Sequence, residues 1–148
     1  MFKIGQSYFV EAEDWNFIKP NKTPEQRMGF AIDNAVKRIV KAEGHTPSTD
    51  QFGPWDWHMA DGTYVDTKSF LRKSVTLSEG ELKFIKKLNT EGGKMLHALF
   101  KQNSAQVFSF VGYVDIIKLV NDHKIHGSHF NDGYFYYTAD LKDYLFEI

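Results

Sequence analysis

From Gln106 to Val114 the chain is almost unbroken in apolar residues, and Lys94 to Lys101 forms a similar run just before it. Each run has the length of a β-strand and falls far short of the roughly 20 residues needed to cross a bilayer. A strand without polar alternation offers no face to water, so both of its sides must be covered. The two runs therefore predict the centre of a sheet flanked by helices, an α/β arrangement.

The covering helices are legible upstream. Thr23 before Pro24 and Glu25 is a helix-start signal, and Phe30, Ile32, Ala35, Val36, Ile39 and Val40 recur at helical spacing until Gly44, which predicts a helix over about 24–43. The stretch from His45 to Phe52, holding Pro47, reads as a loop or a poor edge strand. Trp55 to Met59 and Thr63 to Phe70 are aromatic and β-branched around Ala60-Asp61-Gly62, which predicts a hairpin. Ser78 and Glu81 fit a capping box that starts a second helix with Leu82, Ile85 and Leu88 inward, ended by Gly92-Gly93. After the two apolar strands, Asp115 to Asn121 reads as a short helix and Tyr134 to Thr138 as an aromatic strand, followed by a short amphipathic end.

No repeat or linker divides the 148 residues, so one domain is expected, with an extension over 1–23, a core over 24–120 and further elements over 121–148. The absence of cysteine excludes disulfides and thiolate metal sites, and fits a reducing, cytoplasmic setting. Gln6 and Glu11 interrupt the N-terminal apolar residues too early for a signal-peptide core. Neither export nor a membrane partner is expected. The net charge of −1 argues against a general polyanion binder, but the distribution is uneven. Residues 68–101 carry 8 basic and 3 acidic side chains, whereas acids predominate on either side. Such a segment suits either a phosphate-facing surface or a solvated lysine-rich helix.

Four tripeptides have an acid, any residue, then lysine, at 66–68, 81–83, 122–124 and 140–142, so the tripeptide alone selects nothing. Context favours Asp66-Thr67-Lys68, which lies within a predicted strand, whereas Glu81 is assigned to the cap. Alternation sends Tyr64, Asp66, Lys68 and Phe70 to one face, placing acid and ammonium together. Whether Asp56 joins them depends on the hairpin. A two-residue turn at Asp61-Gly62 would set Asp66 against Trp57 and separate the acids. A three-residue loop with Gly62 left-handed in a bulge pairs Met59 with Thr63 and sets Asp56 opposite Asp66. The second register is expected. Opposed carboxylates repel unless a cation lies between them, and Mg²⁺, which prefers hard oxygen ligands, would serve. Lys68 could then stabilise developing negative charge or assist an attacking water. The plainer alternative is a surface hairpin in which Lys68 pairs with Asp66 and Asp56 is merely solvated.

Pro54-Trp55-Asp56 followed by Asp66-Thr67-Lys68 resembles the signature of the PD-(D/E)xK nuclease superfamily, which includes restriction endonucleases and Holliday-junction resolvases. The likeness spans about residues 25–120. Gly29, Asp33 and Gly44 also match the spacing of an acid that many members carry on the first helix. The departures are the residue between Pro54 and Asp56, and aspartate instead of the commoner glutamate at 33 and 66. The resemblance implies a restriction-endonuclease-like core in the order αβββαβ, with a central mixed β-sheet. It implies Asp33, Asp56, Asp66 and Lys68 as catalytic residues, a metal set of Asp56, Asp66 and Thr67, and Mg²⁺ or Mn²⁺ as cofactor. The expected activity is endonucleolytic cleavage of DNA, including a structure-specific or junction-resolving form, by a homodimer. The alternative is an inactive nuclease-like module that binds nucleic acid or a protein.

Further residues are candidates at the margin. His58 should share the face of Asp56 and could carry protons there, or be a plain sheet histidine. Lys83, Lys86 and Lys87 fall on the outer side of the second helix, suited to phosphate contacts or to solvation. His123, His126 and His129 have a spacing that would bind zinc on a helix, but Gly127 and Ser128 oppose a helix, which leaves a polar loop. Tyr134, Phe135, Tyr136 and Tyr137 are expected to pack rather than to stack bases.

Overall fold

The computed structural model describes residues 1–50, 53–127 and 133–148. Helix α1 (Pro24–Ala42) starts where the sequence predicts: the Thr23 side chain accepts the Gln26 N–H, Gln26 returns the bond, and Pro24 occupies the first turn, where its missing N–H costs nothing. Of the two readings of residues 45–52, a loop or a poor edge strand, the structure takes the second in part: β2 (Thr46–Pro47) is two residues long with proline at the sheet margin. Strands β3 (Trp57–His58) and β4 (Tyr64–Lys68) form the hairpin, with Trp57 opposite Val65 and His58 opposite Tyr64. Met59 N–H donates to the Thr63 carbonyl at 2.8 Å, and Gly62 has φ of 90°. That is the three-residue loop, in a backbone conformation that glycine adopts without steric cost.

Helix α2 (Glu79–Glu91) leads to the long strands β6 (Met95–Gln102) and β7 (Val107–Asp115), and α3 (Ile116–Asn121) follows with Asp115 as its cap. With β1 (Ser7–Phe9), the six strands form one mixed sheet in the order β1-β7-β6-β4-β3-β2, of which only β4 and β6 run parallel. Both sides of this sheet are covered. On one side α1 contributes Ala31, Ile32, Ala35 and Val36 against Trp57, Val65, Ala98, Phe108 and Phe110. On the other, Leu82, Ile85 and Leu88 of α2 and Leu119 of α3 meet Met95, Leu99 and Val114. The near-continuous burial of β6 and β7 follows, because their alternate side chains enter different cores.

Residues 1–23 are more than an extension. Strand β1 pairs with β7, Phe2 is fully buried against Phe100 and Phe110, and the buried Asp14 carboxylate receives Arg38 of α1 at 3.0 Å. A second sheet, not anticipated, joins β5 (Ser74–Leu77), β9 (Tyr134–Tyr137) and β8 (His126–Gly127). It lies on the α2 side, where Val75, Leu77 and Tyr136 enter that core. Among the described residues no helix is long and apolar enough to cross a membrane.

Candidate active site

Asp33 reaches the sheet because α1 approaches the end of β4 closely. A Cβ on Gly29 would lie 3.2 Å from the Phe70 ring, a tight contact, so glycine lets the helix sit this low without displacing the ring. One turn later, Asp33 Oδ1 meets Ser69 Oγ, which also contacts the Gly29 carbonyl at 3.2 Å. Asp56 lies just before β3. Its N–H donates to the Val65 carbonyl at 2.9 Å, and its Oδ2 accepts the Thr67 N–H at 2.7 Å. The hairpin keeps the expected register as far as Trp57 and Val65, but Asp56 lies beyond the last paired residue and its carboxylate stands in for a backbone acceptor. Asp66, on β4, projects toward α2 and comes within hydrogen-bonding reach of Asp56.

Three aspartates from α1, the approach to β3 and β4 thus converge. Burial and the Asp56 charge push the Asp33 carboxyl up to about 8, although Ser69 opposes the shift. Burial and Asp66 push Asp56 up to about 7 against the Thr67 N–H, and burial raises Asp66 against the pull of Lys68. These directions are the electrostatic signature of crowded carboxylates that a proton or a metal cation would relieve.

The Lys68 ammonium lies 2.9 Å from Asp66 Oδ2, 3.5 Å from Glu81 Oε2 and 3.0 Å from the Thr76 carbonyl. Burial alone would favour the neutral amine, but Asp66 and Glu81 reverse that and hold the group above its ordinary value. Lys68 is therefore a fixed cation, suited to stabilising negative charge and unsuited to taking up a proton.

Behind Lys68 stand residues that the sequence reading passed over. Glu81 was expected to close a capping box, and the Ser78 hydroxyl does accept the Glu81 N–H at 3.1 Å. The Glu81 side chain, however, turns inward to His97 Nε2 at 2.7 Å and toward Lys68. Charge-assisted partners in the interior outcompete one terminal backbone N–H. His97 is fully buried on β6 beside Asp66, and its Nδ1 lies 2.7 Å from the Tyr136 hydroxyl. Burial and the Lys68 charge lower the imidazole to about 3, so it is neutral. Its single proton belongs on Nε2, facing the Glu81 carboxylate, and Nδ1 accepts the Tyr136 O–H. Asp66, Glu81 and His97 have ligand atoms within 4.8 Å of one another, close enough to hold an ion. Yet the Lys68 ammonium already lies between the two carboxylates, and His97 Nε2 carries its proton, so the group is better described as a hydrogen-bonded network.

Thr67 turns its side chain the other way, its Oγ1 accepting the Trp57 indole N–H at 3.3 Å, so only its backbone faces the cluster. His58 packs against Trp55 and Tyr64, at 5.4 and 6.3 Å between ring centroids, with Nδ1 3.1 Å from the Met59 carbonyl. It belongs to an aromatic patch. Lys83, Lys86 and Lys87 are exposed on the solvent side of α2, opposite Glu81, and Lys83 pairs with Glu79 at 3.4 Å. The helix body separates all three from the carboxylates. His123 has φ of 56° after α3, His126 lies on β8 against Phe135, and His129 lies outside the described residues. Tyr136 packs, as expected, while Tyr137 is partly exposed.

A cleft of about 470 Å³ opens from this site between α1 and the β4–β5 segment. Asp33, Thr67 and Lys68 line it together with Phe30, Phe70 and Val75, and it also includes Arg72, which pairs with Glu25. Comparison of the chain with protein-family models, with curated proteins and with solved structures finds no match.

Proposed function

We propose that the chain is a divalent-metal-dependent nuclease with a restriction-endonuclease-like core, cutting phosphodiester bonds in DNA. The observation that carries this reading is the convergence of Asp33, Asp56 and Asp66 from three separate elements, with the Lys68 ammonium 2.9 Å from Asp66. The donor set suits Mg²⁺ or Mn²⁺, because every ligand atom is a hard oxygen. One oxygen of each aspartate is anchored, to Ser69, to Thr67 N–H and to Lys68 respectively, and the other would be the one offered to a shared cation.

Asp56 and Asp66 would hold the ion, the Thr67 backbone would adjoin it, and Asp33 would complete or orient the shell. When bound, such an ion supplies Lewis-acid stabilisation of the phosphate and a lowered pKa for water. Hydrolysis forms a bond from a water oxygen to phosphorus and breaks the bond to the leaving sugar oxygen. Lys68 remains charged throughout and stabilises the negative charge that accumulates on the non-bridging oxygens. The cleft receives the strand beside the scissile bond, with Arg72 available to a phosphate once it leaves Glu25. Cutting both strands of a duplex would call for two copies of the chain.

A supercoiled-plasmid nicking assay tests this reading. Activity is expected with Mg²⁺ or Mn²⁺, none with EDTA, and a loss of at least about 100-fold in Lys68→Ala. Nicking that survives EDTA, or that Lys68→Ala leaves unchanged, sinks the mechanism. Metal-independent DNA binding with no cleavage would indicate the inactive module instead.

A further inference from the structure

We infer that Glu81 is a positioning residue for Lys68, held in place by His97 and Tyr136, so that the second sheet is part of the catalytic apparatus. This rests on the role given to Lys68 above. An ammonium has three N–H groups, and here Asp66 at 2.9 Å and the Thr76 carbonyl at 3.0 Å accept from it, while Glu81 faces the third side as an ion-pair partner at 3.5 Å. Asp66 would also hold the cation, so Thr76 and Glu81 fix the ammonium from the other side and limit its contact with Asp66 to the one oxygen, Oδ2. Both depend on the second sheet. Thr76 lies on β5, and Glu81 is fixed through His97 by the Tyr136 hydroxyl of β9, the strand that pairs with β5.

The network need not be retained for stability. Glu81 is 6% exposed, and His97 and Tyr136 are fully buried. Replacing such a buried polar chain with packed apolar residues is often neutral or stabilising. Its stereochemistry, in contrast, suits orientation. His97 is neutral and donates to Glu81 Oε1, which leaves Oε2 directed at Lys68. The contact to Lys68 is also the longest of the three, so it can most readily be exchanged for a phosphate oxygen while the other two hold.

Glu81→Gln keeps the shape but removes the charge, and Tyr136→Phe removes only the hydroxyl that fixes His97. Both should be compared with the parent by Mg²⁺-dependent nicking, by thermal denaturation and by the ¹⁵N signal of Lys68 Nζ in lysine-labelled protein. The expected result is a fall in kcat of about 10- to 100-fold for Glu81→Gln, smaller for Tyr136→Phe, with KM for DNA unchanged and the Lys68 signal displaced. Folded Glu81→Gln with parental kcat and an unmoved Lys68 signal overturns the inference. If Glu81→Gln does not fold, Tyr136→Phe decides by the same readings. Should the parent fail to nick DNA, the nuclease reading falls by itself. The Lys68 signal then still decides whether Glu81 positions the ammonium: displacement supports it, and constancy overturns it.

Discussion

Asp56 Oδ2 accepts the Thr67 N–H at 2.7 Å, so a side-chain carboxylate does the work of a backbone carbonyl at the point where β3 begins. One oxygen is thereby committed to the sheet and the other is left for the site. Two substitutions should separate these duties. Asp56→Asn retains a carbonyl oxygen for Thr67 and should fold normally while losing nicking. Asp56→Ala should lose nicking and also about 1–2 kcal/mol of stability, since a sheet N–H loses its acceptor. Urea denaturation of both variants in EDTA checks this; equal stability would mean that the Thr67 bond contributes nothing.

Stability without metal should fall as the solution becomes alkaline. The Asp33 and Asp56 carboxyls lie at about 8 and about 7 in the folded protein against an ordinary value of 3.8. Between roughly pH 4 and 8 the folded chain therefore binds more protons than the unfolded chain, and rising pH disfavours folding. His97 acts oppositely, since lowering from 6.5 to about 3 removes stability as pH drops below 6.5. Above about pH 6.5 the carboxyls remain as the uncompensated pair. Urea midpoints in EDTA should correspond to a loss on the order of 2–3 kcal/mol from pH 6.5 to 8.5. Asp33→Asn should remove most of the loss, and a slope unchanged in that variant would rule out Asp33 as its origin.

Added Mg²⁺ should reverse that trend, because an ion held by the ionised carboxylates, as proposed above, would favour the folded state. At a concentration about 100 times its dissociation constant the gain is about 2.7 kcal/mol. The rise in Tm should be larger at pH 8 than at pH 6.5, and absent in Asp66→Asn. A Tm rise of parental size in that variant would place the ion elsewhere.

The hairpin was legible because its loop is local: Ala60-Asp61-Gly62 sets the register, and the register brings Asp56 to Asp66. Glu81 was obscured by a pattern with two physical solutions. A serine followed three residues later by glutamate fits a cap, but Glu81 also shares the inward stripe of Leu82, Ile85 and Leu88. His97 left a fainter mark, as a polar residue inside an apolar strand, and its partners Glu81 and Tyr136 are distant in sequence. Strands β1 and β5 have only three and four residues, too few to show a period, and exist through partners far along the chain. Local periodicity specified the helices and long strands, whereas the margins of both sheets required tertiary partners.

The pairing of Ser7 with Ser109 means that β1 must wait for a strand made much later in the chain. A nascent chain still lacking β7 has nothing against which to seat β1, and Phe2 remains without the Phe110 ring that helps enclose it. Closing so long a loop precedes its energetic reward, which makes completion of this margin a slow, late event in folding.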